Sequence, residues 1–316
     1  MKLAFDARCE SGKASSFTRV LELWRHAADV VGLEYTNWHE GFCHADVLIS
    51  PNSDVSTVKG PLKVPTFHDV NALQPQPSSW LRRAPDIHGL RKTARNLQLN
   101  ANYILTGSEF SKQSIGDAFP ALREKLFVIP HYPSPSFTPG EIDHNLLAKH
   151  GLPEKSVLFV SAIRKHKNWD GMLEAWLMLP KELQHQHPLV FVASRKKIRR
   201  RLPAENIYFT ERISDDLLLH LYRSARLMVF PSFAEGFGLP PLEALCSGCP
   251  VIASEATAIP EVLGGQVEYF DPFNSTELYK LLRATLDSPR NVPEFNRKWC
   301  AELTGNKLIE LLAHLS

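Results

Sequence analysis

Long apolar runs are missing from this chain. Nowhere do the roughly 18 uncharged apolar residues of a membrane span stand together, so no spanning helix is expected. The N-terminus Met1-Lys2-Leu3-Ala4-Phe5-Asp6 meets a carboxylate where a secretory leader needs an unbroken apolar stretch. A cytoplasmic protein is therefore expected. Cysteine is sparse: the five residues Cys9, Cys43, Cys246, Cys249 and Cys300 are odd in number and scattered, which excludes a disulfide framework and fits a reducing compartment. Cys246-Ser247-Gly248-Cys249 has no second pair to complete a zinc site and reads as a helix end. Charge of one sign is also lacking, since a net +2 cannot by itself hold a nucleic acid through counterion release. Internal repeats and low-complexity tracts are absent.

What is present is an ordinary globular composition, 44% hydrophobic and 22% charged, over 316 residues. That length suits two domains of roughly 150 residues each. Short β-branched or apolar runs alternate with stretches of helical period, the pattern of parallel sheets covered by helices, so the class is α/β. In the first half the spacing predicts strands at 3–6, 47–50, 64–68, 103–106 and 126–129, with helices at 16–31 and 110–119. In the second half it predicts strands at 157–162, 189–193, 207–209, 227–230, 251–253 and 267–270.

Between the halves, residues 130–140 carry four prolines, which forbid a ladder or helix and make an extended connector. The chain thus divides into an N-terminal domain over 1–135, a second over 136–295 and a C-terminal helical tail over 296–316. Two such domains in tandem leave a cleft at the carboxyl ends of their strands, where open α/β sheets bind ligands.

The most informative stretch runs Phe230-Pro231-Ser232-Phe233-Ala234-Glu235-Gly236-Phe237-Gly238-Leu239-Pro240-Pro241-Leu242-Glu243-Ala244-Leu245. It reads as strand, glycine-containing loop, then a helix opened by proline. Backbone N–H groups at such a helix start, together with the positive end of the dipole, favour phosphate. Gly236, Phe237, Gly238 and Leu239 are therefore a candidate diphosphate cradle. Glu235 and Glu243 flank it and can accept hydroxyl groups of one ligand. For an isolated pair of glutamates, a helix cap at Glu243 and a solvated Glu235 would serve equally well.

The stretch resembles the signature of glycosyltransferase family four, in which two glutamates are separated by seven residues. Its continuation through Gly248-Cys249-Pro250-Val251-Ile252-Ala253-Ser254 and Ile259-Pro260-Glu261-Val262-Leu263-Gly264-Gly265 is similar to that family as well. The resemblance implies two Rossmann-like domains facing across a cleft, the GT-B fold, and transfer of a sugar from a nucleotide diphosphate donor with retained configuration. It implies Glu235 on donor-sugar hydroxyls and Glu243 on the ribose. Ser161-Ala162-Ile163-Arg164-Lys165-His166-Lys167-Asn168 resembles the turn where the family keeps a lysine and commonly an arginine against the diphosphate. That assigns Lys167, with Arg164 as a second cation although its spacing departs from the pattern. Arg212 and Ile213 lie where the family contacts the base, and the same letters also describe a helix cap by Ser214.

In the first domain, Pro65-Thr66-Phe67-His68-Asp69-Val70 resembles the family's strand-end His-Asp, and Leu105-Thr106-Gly107-Ser108-Glu109-Phe110-Ser111-Lys112 its serine segment. Asp69 and Ser108, with Gly12 of the first loop, are thereby expected on the acceptor side, while His68 faces the donor across the cleft and joins Glu235 and Lys167 as a catalytic candidate, binding and orienting the sugar or acceptor. The loop after the first strand, Cys9-Glu10-Ser11-Gly12-Lys13-Ala14-Ser15-Ser16, retains only Gly12 of a glycine-rich loop.

No Asp-x-Asp metal motif occurs, so no metal or cofactor is expected, and two cations on the diphosphate would neutralise the leaving group. The mannosyltransferase-rich branch is the nearest in pattern, implying GDP-mannose as donor, a UDP-sugar being the alternative, and a glycan or lipid-linked acceptor in polysaccharide or surface-glycan synthesis. An inactive glycan- or nucleotide-binding relative is a further alternative. Residues 195–201 place six cations within seven positions. The run either is a solvated face, serves the phosphate pocket, or touches an acidic glycan or the inner face of an anionic membrane. It contains no aromatic for base stacking, which argues against nucleic acid as a partner.

Overall fold

The computed structural model describes residues 1–11, 16–77, 80–198, 202, 205–211, 213–293, 295 and 297–316. Gly12, Arg212 and the Arg199–Arg201 part of the basic run, all singled out in the sequence, lie outside the described residues. The chain separates into two compact units. One comprises Met1–Gln74, Ser78–Tyr132 and Lys298–Ser316, the other Pro75–Pro77 and Pro133–Arg297.

In the first unit a parallel sheet runs in the order β2 (Tyr35–Trp38), β1 (Leu3–Asp6), β3 (Val47–Ser50), β4 (Leu62–Pro65). A single Thr66–Leu105 bridge leads on to the parallel pair β5 (Ile104–Thr106) and β6 (Leu126–Val128). Strands β1 and β3 are wholly buried and apolar except for Asp6 and Ser50 at their carboxyl ends, as suits strands covered on both faces. The sequence extended the fourth strand to His68, but pairing with β3 ends at Pro65, whose missing N–H interrupts the ladder. The chain then transfers to β5, Phe67 N–H donating to Leu105 O at 2.8 Å. Strand β2 had no sequence signal; it is a short edge strand, Tyr-Thr-Asn-Trp, with no residue fully buried.

Helix α1 (Ser16–Val30) lays Val20, Leu21, Trp24 and Ala28 on this sheet. The C-terminal helix Ala301–Leu315 packs against α1 through Leu308 and Leu311. Gly305 permits that approach, because a Cβ there would come 2.5 Å from Val31 Cγ1 and 2.6 Å from Ala27 O. Helix α2 (Trp80–Asn100) and α3 (Glu109–Ala118) complete the unit, with Leu97, Ile115 and Leu122 in a smaller core.

The second unit holds one six-stranded parallel sheet in the order β12-β11-β10-β7-β8-β9. These are β7 (Val157–Val160), β8 (Leu189–Val192), β9 (Ile207–Thr210), β10 (Leu227–Phe230), β11 (Val251–Ser254) and β12 (Glu268–Phe270). Counted within the unit, this is the doubly wound order of a dinucleotide-binding sheet, and the order reverses between β7 and β10. Seven helices flank or connect the strands among the described residues: α4 (His144–Lys149), α5 (Trp169–Leu177), α6 (Lys181–Gln186), α7 (Asp215–Ser224), α8 (Leu239–Cys246), α9 (Ile259–Leu263) and α10 (Ser275–Asp287). Phe159, Phe191, Trp176 and Leu282 centre the core, Trp176 donating its indole N–H to His187 O at 3.1 Å. Among the described residues no helix is long and apolar enough to cross a membrane.

Candidate active site

At a reversal of strand order the loops leaving two neighbouring strands diverge and open a crevice at the carboxyl edge. In the second unit those loops follow β7 and β10, and they carry Lys167 and Glu235. The β7 loop ends in a turn over Lys165–Lys167, closed by Asn168 in the left-handed region at φ 51°. Asn168 fixes the turn by donating its side-chain amide to Pro272 O at 3.0 Å, and His166 O accepts from Phe233 N–H at 2.8 Å, joining both loops. Lys167 is thereby delivered to Glu235. Its ammonium donates to both carboxylate oxygens, at 2.7 and 2.8 Å.

Glu235 is only 7% exposed, so its charge must be compensated by direct partners. Beyond Lys167 it accepts from the Ser232 hydroxyl at 2.7 Å, while its own backbone N–H donates to Thr257 Oγ1 at 2.9 Å. This is not a solvated loop residue. Glu243 stands in the body of α8 and is 1% exposed. The cap position of that helix is Gly238, five residues before Glu243 where a capping box needs three, so the carboxylate is not a cap.

Helix α8 starts in an unusual way. Gly238 has φ 106° and ψ 63°, a conformation that side-chain-bearing residues avoid, and Pro240 and Pro241 follow. Neither proline carries an N–H. The amide donors of this helix start are therefore those of Gly238 and Leu239, with Phe237 and Gly236 just before them. Gly238→Ala is expected to destabilise the protein by about 1–2 kcal/mol, because the turn cannot take up a right-handed geometry without displacing Leu239. Urea denaturation would read this loss directly.

Of the other expected donor-side residues, Arg164 is exposed, and its backbone N–H donates to Ala162 O at 2.9 Å. Ile213 is half-buried just before Ser214, and Ser214 caps α7 by accepting from Leu217 N–H at 3.2 Å. In the basic run, Arg195 donates to Ile198 O and lies over the Phe209 ring at 5.6 Å. Among the described residues no three His, Cys, Asp or Glu side chains gather as a metal-binding group.

In the first unit His68 follows β4 at the carboxyl edge. Its Nε2 lies 3.0 Å from Pro51 O, and since a carbonyl only accepts, Nε2 carries the proton and Nδ1 presents a lone pair. Burial pushes the His68 pKa below its ordinary value, against the opposing pull of Pro51 O and Asp69, so the ring is neutral near pH 7. Asp69 accepts from Asn71 N–H at 2.9 Å in a local turn. Ser108 is fully buried and caps α3 by accepting from Ser111 N–H at 3.1 Å. Both side chains thus take part in local structure.

His131, 6.3 Å from His68 between ring centres, was not singled out in the sequence. Burial first, then His68, pushes it from 6.5 down to about 3. An unfolded chain takes up a proton at His131 below about pH 6.5, whereas the folded chain resists until about pH 3. Stability from this group is therefore present above 6.5 and lost as pH falls. At pH 5 the loss is expected to be about 2 kcal/mol, and His131→Gln should remove that pH-dependent component in denaturation at pH 7 and pH 5.

The residues that hold Glu235, namely Ser232 and Thr257, also escaped the sequence reading. Ser232 sits three positions before the glutamate inside the recognised stretch, but Thr257 lies 22 residues beyond it. Only the return of the chain through β11 brings the two together.

Two units with parallel α/β sheets, the second doubly wound, are of the GT-B fold class. The match to solved structures agrees: a sucrose-phosphate synthase from Thermosynechococcus elongatus superposes with a TM-score of 0.75 over 99% of this chain and 98% of its own, at 15% identity. Residues 145–300, just under half of the chain, match the family described as Glycosyl transferases group 1. Among curated relatives, the serotype-specific mannosyltransferase WbdA of Escherichia coli is 34% identical over 45% of this chain and 19% of its own length. The O-antigen chain mannosyltransferase B of Escherichia coli is 30% identical over 66% of this chain and 57% of its own. The chain therefore spans under two thirds of the length of these relatives.

Proposed function

We propose that the protein is a glycosyltransferase of glycan synthesis that moves mannose from GDP-mannose to a glycan or lipid-linked acceptor, with retention at the anomeric carbon and no metal. The observation that carries this reading is the Lys167–Glu235 pair beside the Gly238–Leu239 amides at the strand-order reversal. A nucleoside diphosphate matches these groups in charge and hydrogen bonding: an anion for the amides and the ammonium, and hydroxyls for the carboxylates. In this reading the diphosphate settles on the α8 start, Lys167 turns from Glu235 to the phosphate oxygens, and Glu235 accepts donor-sugar hydroxyls. Glu243 accepts the ribose hydroxyls.

The reaction breaks the bond between the anomeric carbon and the diphosphate oxygen. The acceptor oxygen forms its bond on the same face, and its proton passes to the departing phosphate oxygen. Lys167 stabilises the charge that develops there, and no side chain acts as a nucleophile. The mannosyltransferase relatives favour mannose and a glycan acceptor; an anionic membrane surface near a lipid-linked acceptor is consistent with the basic run.

Thermal unfolding with GDP and UDP tests the donor. GDP at 100 times its dissociation constant should add about 2.7 kcal/mol of stability, and UDP much less. A larger effect of UDP would reassign the donor base, and no effect of either would remove the nucleotide site. Glu243→Ala is expected to weaken GDP about 10- to 100-fold, the worth of a hydrogen bond to a charged group. NMR of the product from GDP-mannose and a mannosyl acceptor then reads the configuration, and an inverted centre would overturn the retaining step.

A further inference from the structure

We infer that Thr257 and Ser232 are positioning residues for Glu235, holding the carboxylate in place when the ligand draws Lys167 away. This rests on the transfer reaction proposed above. The carboxylate has two kinds of tether. Lys167 grips both oxygens, yet it is the group a diphosphate must recruit. The remaining tethers are neutral: the fully buried Ser232 hydroxyl on Oε1 at 2.7 Å and Thr257 Oγ1 on the backbone N–H at 2.9 Å. Oε2 receives no bond from either, so departure of Lys167 exposes one defined oxygen to a sugar hydroxyl while the other stays fixed.

Each tether is itself anchored. Ser254, at the end of β11 and fully buried, donates its hydroxyl to Ser232 O at 2.5 Å, fixing the backbone from which the Ser232 side chain projects. Thr257 lies in the left-handed region at φ 52°, where a β-branched residue is strained. Glycine would suit that backbone better and threonine suits it poorly. What threonine adds there is the Oγ1 that meets Glu235 N–H. Strain retained at one residue for the sake of one contact marks a position set by the site rather than by the turn.

The two roles separate in Thr257→Gly, which relieves the backbone while deleting the tether. Its Tm is expected to stay within about 3 °C of the parent, while kcat for sugar transfer falls about tenfold. Thr257→Ser restores kcat, because the hydroxyl returns. Ser232→Ala also lowers kcat about tenfold. The affinity for GDP, which carries no sugar, is expected to be unchanged in Thr257→Gly and Ser232→Ala. Parent-level kcat in Thr257→Gly and Ser232→Ala overturns the inference, as does a kcat in Thr257→Ser as low as in Thr257→Gly, or GDP affinity that falls in step with kcat. Glu235→Gln serves as the separate control. If it retains full activity, the transfer reading itself fails; if it is inactive while the tether variants are normal, only the inference fails.

Discussion

Glu235→Gln should lower kcat about 30- to 1,000-fold while leaving GDP bound as tightly as before, or up to about tenfold more tightly. The first half follows from chemistry. A carboxylate that accepts sugar hydroxyls strengthens its hold as positive charge develops at the anomeric centre, and an amide of the same shape does not. Loss of such a preorganised charge costs about 2–4 kcal/mol, at 1.36 kcal/mol per decade. The second half follows from competition. In the free protein Lys167 is held by both oxygens of Glu235, so the diphosphate must displace a bidentate ion pair before it can use that lysine. Removing the carboxylate removes the competitor. The same change lowers the stability of the free protein, since an ammonium with 18% of its side-chain surface exposed loses its anion, and GDP should restore much of that loss. Isothermal titration with GDP beside steady-state kinetics separates the two effects. If GDP affinity falls by the same factor as kcat, Glu235 is a general support of the pocket and not a partner of the sugar.

The competition could not have been seen in the sequence, although both partners were. Lys167 and Glu235 were singled out because the resemblance puts one on a diphosphate and the other on a sugar. Nothing in the letters says that without ligand they bind each other, across 68 residues. Ser232 and Thr257 fall in the same category. A hydroxyl three residues before a glutamate is commonplace, and a left-handed threonine has no sequence signature because threonine is seldom found there. Conversely, Ser108 and Asp69 were read as acceptor-side residues, and local geometry uses them as a helix cap and a turn former. The Ser108 cap was legible on its own terms, since a serine followed by a helix-forming stretch satisfies the first free N–H groups.

The fold was legible where burial is two-sided. Strands β1, β3 and β10 are buried throughout and apolar but for the terminal Asp6 and Ser50, and the sequence places them at the observed bounds. Legibility failed where burial is partial or where tertiary contact overrides local pattern. Strand β2 has two exposed residues between two half-buried ones and includes an asparagine, so it offers no run. Helix α2 includes Pro85 and Gly89, and among its described side chains the buried ones, Ala94 and Leu97, lie in its C-terminal half, so the apolar period is weak. The end of β4 drifted for a related reason. Past Pro65 the loop residues Thr66 and Phe67 are themselves buried, and periodicity cannot tell a buried loop from a strand.

Lys167→Ala should cut kcat/KM for the nucleotide sugar about 30- to 1,000-fold, equivalent to about 2–4 kcal/mol of transition-state stabilisation. The argument turns on where charge appears. When the glycosidic bond breaks, the departing diphosphate gains negative charge on the bridging oxygen, and the Gly238 and Leu239 amides carry only partial positive charge. Two prolines in the first turn of α8 have already removed the next two N–H groups, which makes a full cation beside them more important. Alanine also strands the 7%-exposed Glu235 with the Ser232 hydroxyl as its remaining side-chain donor, so the variant is expected to be less stable. Lys167→Arg keeps the charge but replaces a compact ammonium with a planar fork, so activity should return only in part. The double variant Glu235→Gln with Lys167→Ala distinguishes shared from separate roles. If the two residues act on one transition state, its kcat/KM should be far above the product of the single losses, whereas independent roles multiply. Near-parent activity in Lys167→Ala would refute its place on the diphosphate, because no other cation is paired with Glu235 among the described residues.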